Sequence, residues 1–163
     1  MNIFALSAHP KEAAKWHMDQ HVVNMPVETA QILCTVRSMY GDKIPHYQST
    51  YTYHPCYTWA SESAENYVWL CILGIELCGE YTYRYGKANK CESVIEECLQ
   101  TIPKKIANRG RTKFAQVMPA QYAMDNSVLA YRNYYIQEKS HLARWSNREV
   151  PYWWSECIYI EQK

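Results

Sequence analysis

Cationic and aromatic side chains at the end of a predicted helix are the first residues in this chain with clear binding chemistry. Arg84 and Lys87 stand beside Tyr83 and Tyr85. A guanidinium or ammonium group pairs with phosphate oxygens, and an aromatic ring stacks on a nucleobase. These residues predict a phosphate and base contact. The alternative is a solvated ladder of ion pairs between Arg84 and the glutamates one and two turns before it.

A basic stretch between residues 104 and 113 offers a second place where phosphates can bind. It holds the densest group of cations in the chain, namely Lys104, Lys105, Arg109, Arg111 and Lys113. A loop of this composition either contacts phosphates or lies solvated on the surface. Both interpretations stay open at the level of sequence.

The spacing of apolar residues predicts the helices that position these side chains. Helical periodicity is found over residues 10–25, 26–40, about 61–85, 93–101 and 126–145. Pro26 either kinks the first helix or begins the second. Ser61 or Ser63 is the expected cap of the third helix, and Gly86 is its expected end.

Two segments fall outside this periodic pattern. Residues 42–57 contain two prolines and alternating Tyr and Thr, which indicates a long loop. Loops of that length are often functional, so His46 and His54 are candidate pocket residues. The tail from residue 148 is aromatic and alternating, which predicts a strand or an extended cover docked on the body. Asp125 or Asn126 is expected to cap the last helix.

Length and composition predict one compact domain over residues 1–163. The chain is 48% hydrophobic and 20% charged, which is typical of a globular protein. Tyr and Trp number 15 and 6 against 2 Phe, so most rings keep a polar edge suited to a wet pocket. We expect a mainly α fold, a helical bundle with long loops and an extended C-terminal tail.

The charge balance favours a small ligand over a long polyanion. Seventeen basic and sixteen acidic residues give a net charge of +1. A protein that grips duplex DNA through its phosphates usually has a clear basic excess. A neutral chain with a few Arg and Lys suits a small phosphorylated compound better.

The cysteines and the N-terminal sequence predict a reduced, cytoplasmic protein. Seven cysteines is an odd number, and the start Met1-Asn2-Ile3-Phe4 lacks the pattern of a signal peptide. Cys71 with Cys78, and Cys91 with Cys98, are spaced as small core residues rather than as zinc ligands. We expect no metal, no cofactor and no membrane span, since no run of about twenty apolar residues exists.

Residues 19–28 carry a family resemblance. Asp19-Gln20-His21, with Glu28 nine residues after Asp19, and the later run IELCGEY resemble the endonuclease V type pyrimidine-dimer DNA glycosylases of phages. That resemblance implies a small all-helical domain of phage origin. It also implies catalysis by the N-terminal amine, which attacks the sugar carbon bearing the base, while Glu28 assists the proton transfers.

The implied amine belongs to Met1, or to Asn2 if Met1 is removed, although a bulky second residue normally leaves Met in place. An α-amine suits this role because its ordinary pKa is near 8. The family carries arginines along the glutamate helix that hold phosphates, whereas this chain has Val27 and Gln31 there. This chain therefore offers fewer cations to hold the phosphates of duplex DNA.

Two functions follow from these observations. The first is an oligomeric phage protein that sequesters a nucleotide or cyclic nucleotide of a host defence pathway, in the host cytoplasm. The second is a DNA N-glycosylase/lyase acting on damaged or modified pyrimidines. Glu28 and Met1 are catalytic only in the second. The predicted ligand-binding residues are His21, His54, Asn66, Trp69, Arg84, Lys87, Arg132 and Lys139.

Overall fold

The computed structural model describes residues 1–42, 47 and 53–155, and these residues form helices with no β-strand among them. The α-helices are α1 Pro10–Trp16, α2 Asp19–Met39, α3 Pro55–Glu62, α4 Ala64–Tyr85, α5 Glu92–Gln100 and α6 Ser127–Lys139. Short 3₁₀ turns cover Ala120–Tyr122 and Ser140–Leu142. The predicted mainly α, compact fold is confirmed.

Helix α4 is the centre of the bundle and packs against α1, α2, α3 and α5. It begins after Ser63, whose hydroxyl accepts a hydrogen bond of 3.1 Å from the backbone N–H of Asn66. It ends at Gly86, which adopts the left-handed conformation at φ 66° that glycine tolerates best. Both predicted boundaries of this helix are confirmed, with Ser63 as the cap.

Gly74 lets three helices approach closely. A Cβ at this position of α4 would lie 2.7 Å from Cγ2 of Thr29 on α2 and 3.0 Å from Cδ1 of Ile95 on α5. Such distances leave no room for a methyl group without a shift of the neighbours. The sequence therefore needs a residue without a side chain at this crossing.

Of the two alternatives at Pro26, the start of a second helix is wrong. Helix α1 ends at Trp16, and α2 runs unbroken from Asp19 through Pro26. A tertiary contact accompanies the true break, because the N–H of Asp19 donates to the carbonyl of Arg144 at 2.9 Å. No local sequence pattern reveals that contact.

The last helix and the tail also differ from expectation. Helix α6 ends at Lys139 rather than near residue 145, while the side chain of Asn126 caps its start as predicted. Residues 152–155 form a helical turn instead of a strand, and Trp153 is buried there. Residues 156–163, expected to be extended, lie outside the described residues.

The predicted loop over residues 42–57 is wrong at its far end, where α3 begins at Pro55. Residues 43–46 and 48–52 of that prediction lie outside the described residues. His46 lies outside the described residues. The cysteines of the described chain are unpaired and buried, which confirms their expected role in the core: Cys34, Cys56, Cys71, Cys78, Cys91 and Cys98. Within residues 1–42, 47 and 53–155, no helix is long and apolar enough to cross a membrane.

Candidate functional site

The N-terminal segment brings a primary amine beside a carboxylate. The α-amino nitrogen of Met1 lies 3.7 Å from Oε2 of Glu28. The backbone N–H of Asn2 donates a hydrogen bond of 2.9 Å to the same oxygen. Glu28 lies on α2, and its side chain keeps 30% of its accessible surface. An amine and a carboxylate that both remain partly open can take part in nucleophilic and proton-transfer chemistry.

These two groups line a cleft of about 390 Å³. His21 and Asn24 of α2 line it from the helix that carries Glu28, and Lys139 lines it from the end of α6. The cleft thus joins two positive groups, one carboxylate and one imidazole. The structure brings together Met1, His21, Glu28 and Lys139 among the residues predicted from sequence.

His21 is a neutral, tightly held member of the cleft. Burial, reinforced by the positive charge of Lys139, lowers the pKa of His21 to about 4. Its Nδ1 lies 2.5 Å from the hydroxyl of Tyr135, and its ring stacks on Phe4 with centroids 4.3 Å apart. A neutral imidazole at pH 7 can hydrogen-bond a substrate but carries no charge to offer a phosphate.

Lys139 supplies the cleft with a cation. Its Nζ lies 5.3 Å from the ring centroid of Tyr134, which also lines the cleft. A cation over an aromatic face is held without losing its donors. This arrangement suits an anionic group of a ligand entering between α2 and α6.

His54 lies close enough to the cleft to sense its charges. Burial and the positive amino terminus lower the pKa of His54, while the carboxylate of Glu28 opposes them. Its Nδ1 accepts a hydrogen bond of 3.2 Å from the N–H of Cys56 and so caps α3. His54 therefore feels the charges of the amine and the carboxylate without lining the cleft, and it has a structural role as well.

Arg84 is turned into the protein rather than toward a ligand. Its side chain is 0% exposed and donates to Oδ1 of Asp19 at 3.0 Å and to Oε2 of Glu80 at 3.1 Å. It also donates to the carbonyls of Lys15 and His17, where α1 ends. Arg84 thereby joins α1, α2 and α4.

Asp19 and the neighbouring aromatic residues belong to the same structural network. Burial raises the pKa of Asp19, but hydrogen bonds from Ser146 and Arg84 outweigh it and hold the pKa below its ordinary value. The ring of Tyr83 is covered by the guanidinium of Arg148 at 3.9 Å. Lys87 is exposed beyond the end of α4, whereas Arg84 is buried, so the two do not present one exposed pair of cations.

Three other predicted ligand-binding residues also hold the fold together. Asn66 is buried and donates to the carbonyl of Trp59 and the hydroxyl of Thr112. Trp69 donates from Nε1 to the carbonyl of Ala8 at 2.8 Å. Arg132 donates to the carbonyl of Leu6 at 2.9 Å and stacks over Trp16. Their ligand-binding role stays a prediction, and they do not line the cleft of Glu28.

A second concavity, of about 650 Å³, lies along α4. Trp69, Lys104 and Arg111 contribute to its lining, together with apolar side chains of α4 and of residues 102–106. Arg111 also packs over the ring of Phe114 at 5.0 Å. Part of the predicted basic stretch thus meets an aromatic residue there, whereas Lys113 is paired with Asp125 at 3.0 Å.

Sequence reasoning missed Phe4, Tyr134 and the side chain of Asn2 as parts of the cleft. Asn2 and Phe4 precede the first predicted helix, where no periodicity marks a buried segment, yet residues 2–6 are buried. The short run of apolar residues at positions 3–6 was the available signal. Phe4 also has a positive φ of 41°, an unusual conformation for an aromatic residue.

No protein family, curated protein or solved structure matches this chain. Among the residues that the structure describes, no group of three or more His, Cys, Asp or Glu side chains is placed to hold a metal ion. The geometry of the cleft is therefore the main basis for a functional proposal.

Proposed function

We propose that this protein is a DNA N-glycosylase with lyase activity that acts on damaged or modified pyrimidines. The observation that supports this function best is the 3.7 Å separation between the α-amine of Met1 and Oε2 of Glu28 in an open cleft. The resemblance of Asp19, Gln20, His21 and Glu28 to phage pyrimidine-dimer glycosylases suggests the same chemistry independently of the distance.

The amine is the nucleophile in this proposal. Its lone pair forms a bond to C1′ of the nucleotide, the bond between C1′ and the base breaks, and the base leaves with the electron pair and takes up a proton. Glu28 accepts the proton that the attacking nitrogen loses. The bond between C1′ and the ring oxygen O4′ then breaks, the oxygen takes up a proton and the nitrogen loses its second proton, which leaves an imine between C1′ and Met1. Removal of a proton from C2′ of this imine expels the 3′ phosphate by β-elimination.

The remaining cleft residues bind and orient the nucleotide. Lys139 is the phosphate contact, because it is the lysine that lines the cleft. His21, being neutral, donates or accepts a hydrogen bond on the sugar or the base. Val27, which takes the place of a phosphate-binding arginine, is 41% exposed beside Glu28. Binding of duplex DNA is therefore expected to be weak and to depend only shallowly on salt concentration.

The test is base release and strand cleavage on duplexes that carry a pyrimidine dimer, a modified pyrimidine or an abasic site. The natural N-terminus is first established by intact mass, since the reactive amine is Met1 or Asn2. A protein with one or two residues added before Met1 moves the amine away from Glu28 and serves as the matched control. The proposal expects activity in the natural protein and its loss in the extended one. Equal activity in both would contradict it.

A nucleotide-sequestering function has one specific observation in its favour. The 650 Å³ concavity combines Trp69 with Lys104 and Arg111, which suits an aromatic base and a phosphate. In this second proposal a phage protein removes a host nucleotide signal from the cytoplasm, as an oligomer. Native mass spectrometry with cyclic dinucleotides and ADP-ribose derivatives tests it. Retention of a ligand by the natural protein, and its loss in Lys104→Ala/Arg111→Ala but not in Lys87→Ala, is the expected result.

A further inference from the structure

The N-terminal segment is clamped to α6 at both of its ends. At one end, the hydroxyl of Tyr131 lies 2.8 Å from Oδ1 of Asn2. At the other end, the next residue, Arg132, donates to the carbonyl of Leu6 at 2.9 Å. Residues 2–6 between them are buried. Two consecutive residues of one helix thus fix a segment that has no regular secondary structure of its own.

Asn2 is the junction of this clamp. Its Nδ2 donates to the carbonyl of Val117 at 2.7 Å, and its Oδ1 accepts from the N–H of Ile3 at 2.9 Å. Its backbone N–H donates to Glu28. The side chain of Asn2 therefore fixes the residue itself, and its backbone N–H fixes the carboxylate of Glu28.

Tyr131 supports that junction from behind. Its hydroxyl shares one proton between Oδ1 of Asn2 and the carbonyl of Ala115, 2.7 Å away, and accepts from the N–H of Val117 at 3.2 Å. Burial raises the pKa of Tyr131, so the phenol stays protonated and keeps its donor. Tyr131 is fully buried and does not line the cleft.

We propose that Tyr131 and the side chain of Asn2 are positioning residues that hold the α-amine of Met1 against Glu28. The effect of these residues on catalysis rests on the proposed function. The position of the amine is a property of the protein without substrate. An amine at the end of a chain is normally mobile, and fixing it beside its proton acceptor removes an entropic cost from the reaction. Small displacements of a reacting group cost up to about 100-fold in rate.

The test compares Tyr131→Phe with Tyr40→Phe. Tyr40 is the matched control, because its hydroxyl also donates to a backbone carbonyl, that of Ser61 at 2.9 Å, far along the chain from the amine. Asn2→Leu is the second variant, since it removes the amide, keeps a bulky second residue and so retains Met1. The Asn2→Leu substitution leaves the other hydrogen bonds of Tyr131, those with Ala115 and Val117, in place.

Two readouts are measured for each protein. The first is the single-turnover rate of borohydride-trapped adduct formation on an abasic duplex, together with the affinity for that duplex. The second needs no substrate and is the rate at which an activated ester acylates the α-amine, followed by mass spectrometry. Tyr131→Phe and Asn2→Leu are expected to slow adduct formation by about 10- to 100-fold at unchanged affinity, and to speed acylation of the released amine. Tyr40→Phe is expected to change neither.

The outcomes separate this inference from the proposed function. If the natural protein forms no adduct, the glycosylase function fails, and the acylation rates alone decide whether Tyr131 and Asn2 hold the amine. If acylation in both variants matches the natural protein, the positioning role is overturned. If adducts form at the natural rate in both variants, it is overturned as well, while the glycosylase function stands.

Discussion

The α-amino nitrogen of Met1 and Oε2 of Glu28 lie 3.7 Å apart, although the two residues are far apart in the sequence. The N–H of Asn2 donates to the same carboxylate oxygen at 2.9 Å. The pair lines a cleft with His21 and Lys139. An amine, a carboxylate and the ammonium group of a lysine thus line one cleft.

Replacing Glu28 with Gln should remove most of the turnover. The amide keeps the shape of the side chain and accepts the hydrogen bond from Asn2, but it cannot accept a proton from the amine. Proton transfer by a positioned side chain contributes about 10²- to 10⁴-fold to rate, so we expect a loss of that size in base release. DNA affinity, measured by fluorescence anisotropy, should be retained.

Glu96→Gln is the control for that substitution, because Glu96 is exposed on α5 and does not line the cleft. It should behave as the natural protein does. A Glu28→Gln protein that releases base at the natural rate would end the proposed role of the carboxylate.

The protein should lose stability as the pH falls below neutrality. Burial lowers the pKa of His17 to about 3 and that of His21 to about 4, both below the ordinary value of 6.5. The unfolded chain therefore binds more protons than the native protein between about pH 6.5 and pH 4. Unfolding free energy is expected to drop across that window, by up to about 1.4 kcal/mol per pH unit for each histidine.

Urea unfolding at pH 7 and pH 5 measures this effect. The exposed His9 provides a control, since His9→Gln should show the same pH dependence as the natural protein. Equal unfolding free energies at the two pH values would show that His17 and His21 are not held neutral by burial.

Arg84→Ala should destabilise the fold instead of acting on ligand binding. The side chain is fully buried, pairs with Asp19 and Glu80, and bonds two carbonyls where α1 ends. Removing one partner of a buried ion network costs about 3–5 kcal/mol. Lys87→Ala, at an exposed site, should change stability by less than about 0.5 kcal/mol. Chemical denaturation distinguishes the two, and a stable Arg84→Ala protein that has only lost its ligand would restore Arg84 as a binding residue.

Alanine substitutions at two glycines of α4 should change the free energy of unfolding in opposite directions. A Cβ at Gly74 meets Thr29 at 2.7 Å, whereas a Cβ at Gly79 meets nothing within 4 Å. Gly74→Ala is expected to cost about 1–3 kcal/mol through overpacking. Gly79→Ala is expected to gain up to about 1 kcal/mol because alanine favours a helix. Thermal unfolding of both variants checks the close approach of α2 and α5 to α4, which a stable Gly74→Ala protein would refute.

Local sequence signals predicted the helices whose ends carry local caps. Ser63 and Gly86 bound α4, and Asn126 caps α6, because each satisfies backbone groups of its own helix. The start of α2 was missed since it has no capping side chain, and the N–H of Asp19 bonds instead to the distant carbonyl of Arg144. Pro26 predicts either a kink or the start of a helix, and α2 contains it as an internal residue.

The site was predicted only in part, for a related reason. The family resemblance pointed to Glu28 and His21, and residue type pointed to Lys139, and these meet in one cleft. Residue types pointed equally to Arg84 and Asn66, whose side chains face inward and are satisfied by the protein. The side chains of Asn2 and Tyr131 carry no sequence signal, because the role proposed for them depends on a hydrogen bond between chain-distant residues.

The most direct test of the account is to locate the covalent bond. The natural protein is incubated with an abasic duplex and borohydride, digested, and mapped by mass spectrometry. We expect a reduced adduct on the α-amine of the N-terminal residue, and none in a protein extended before Met1. An adduct on a lysine side chain such as Lys139, or no adduct at all with a folded protein, would contradict the proposed nucleophile.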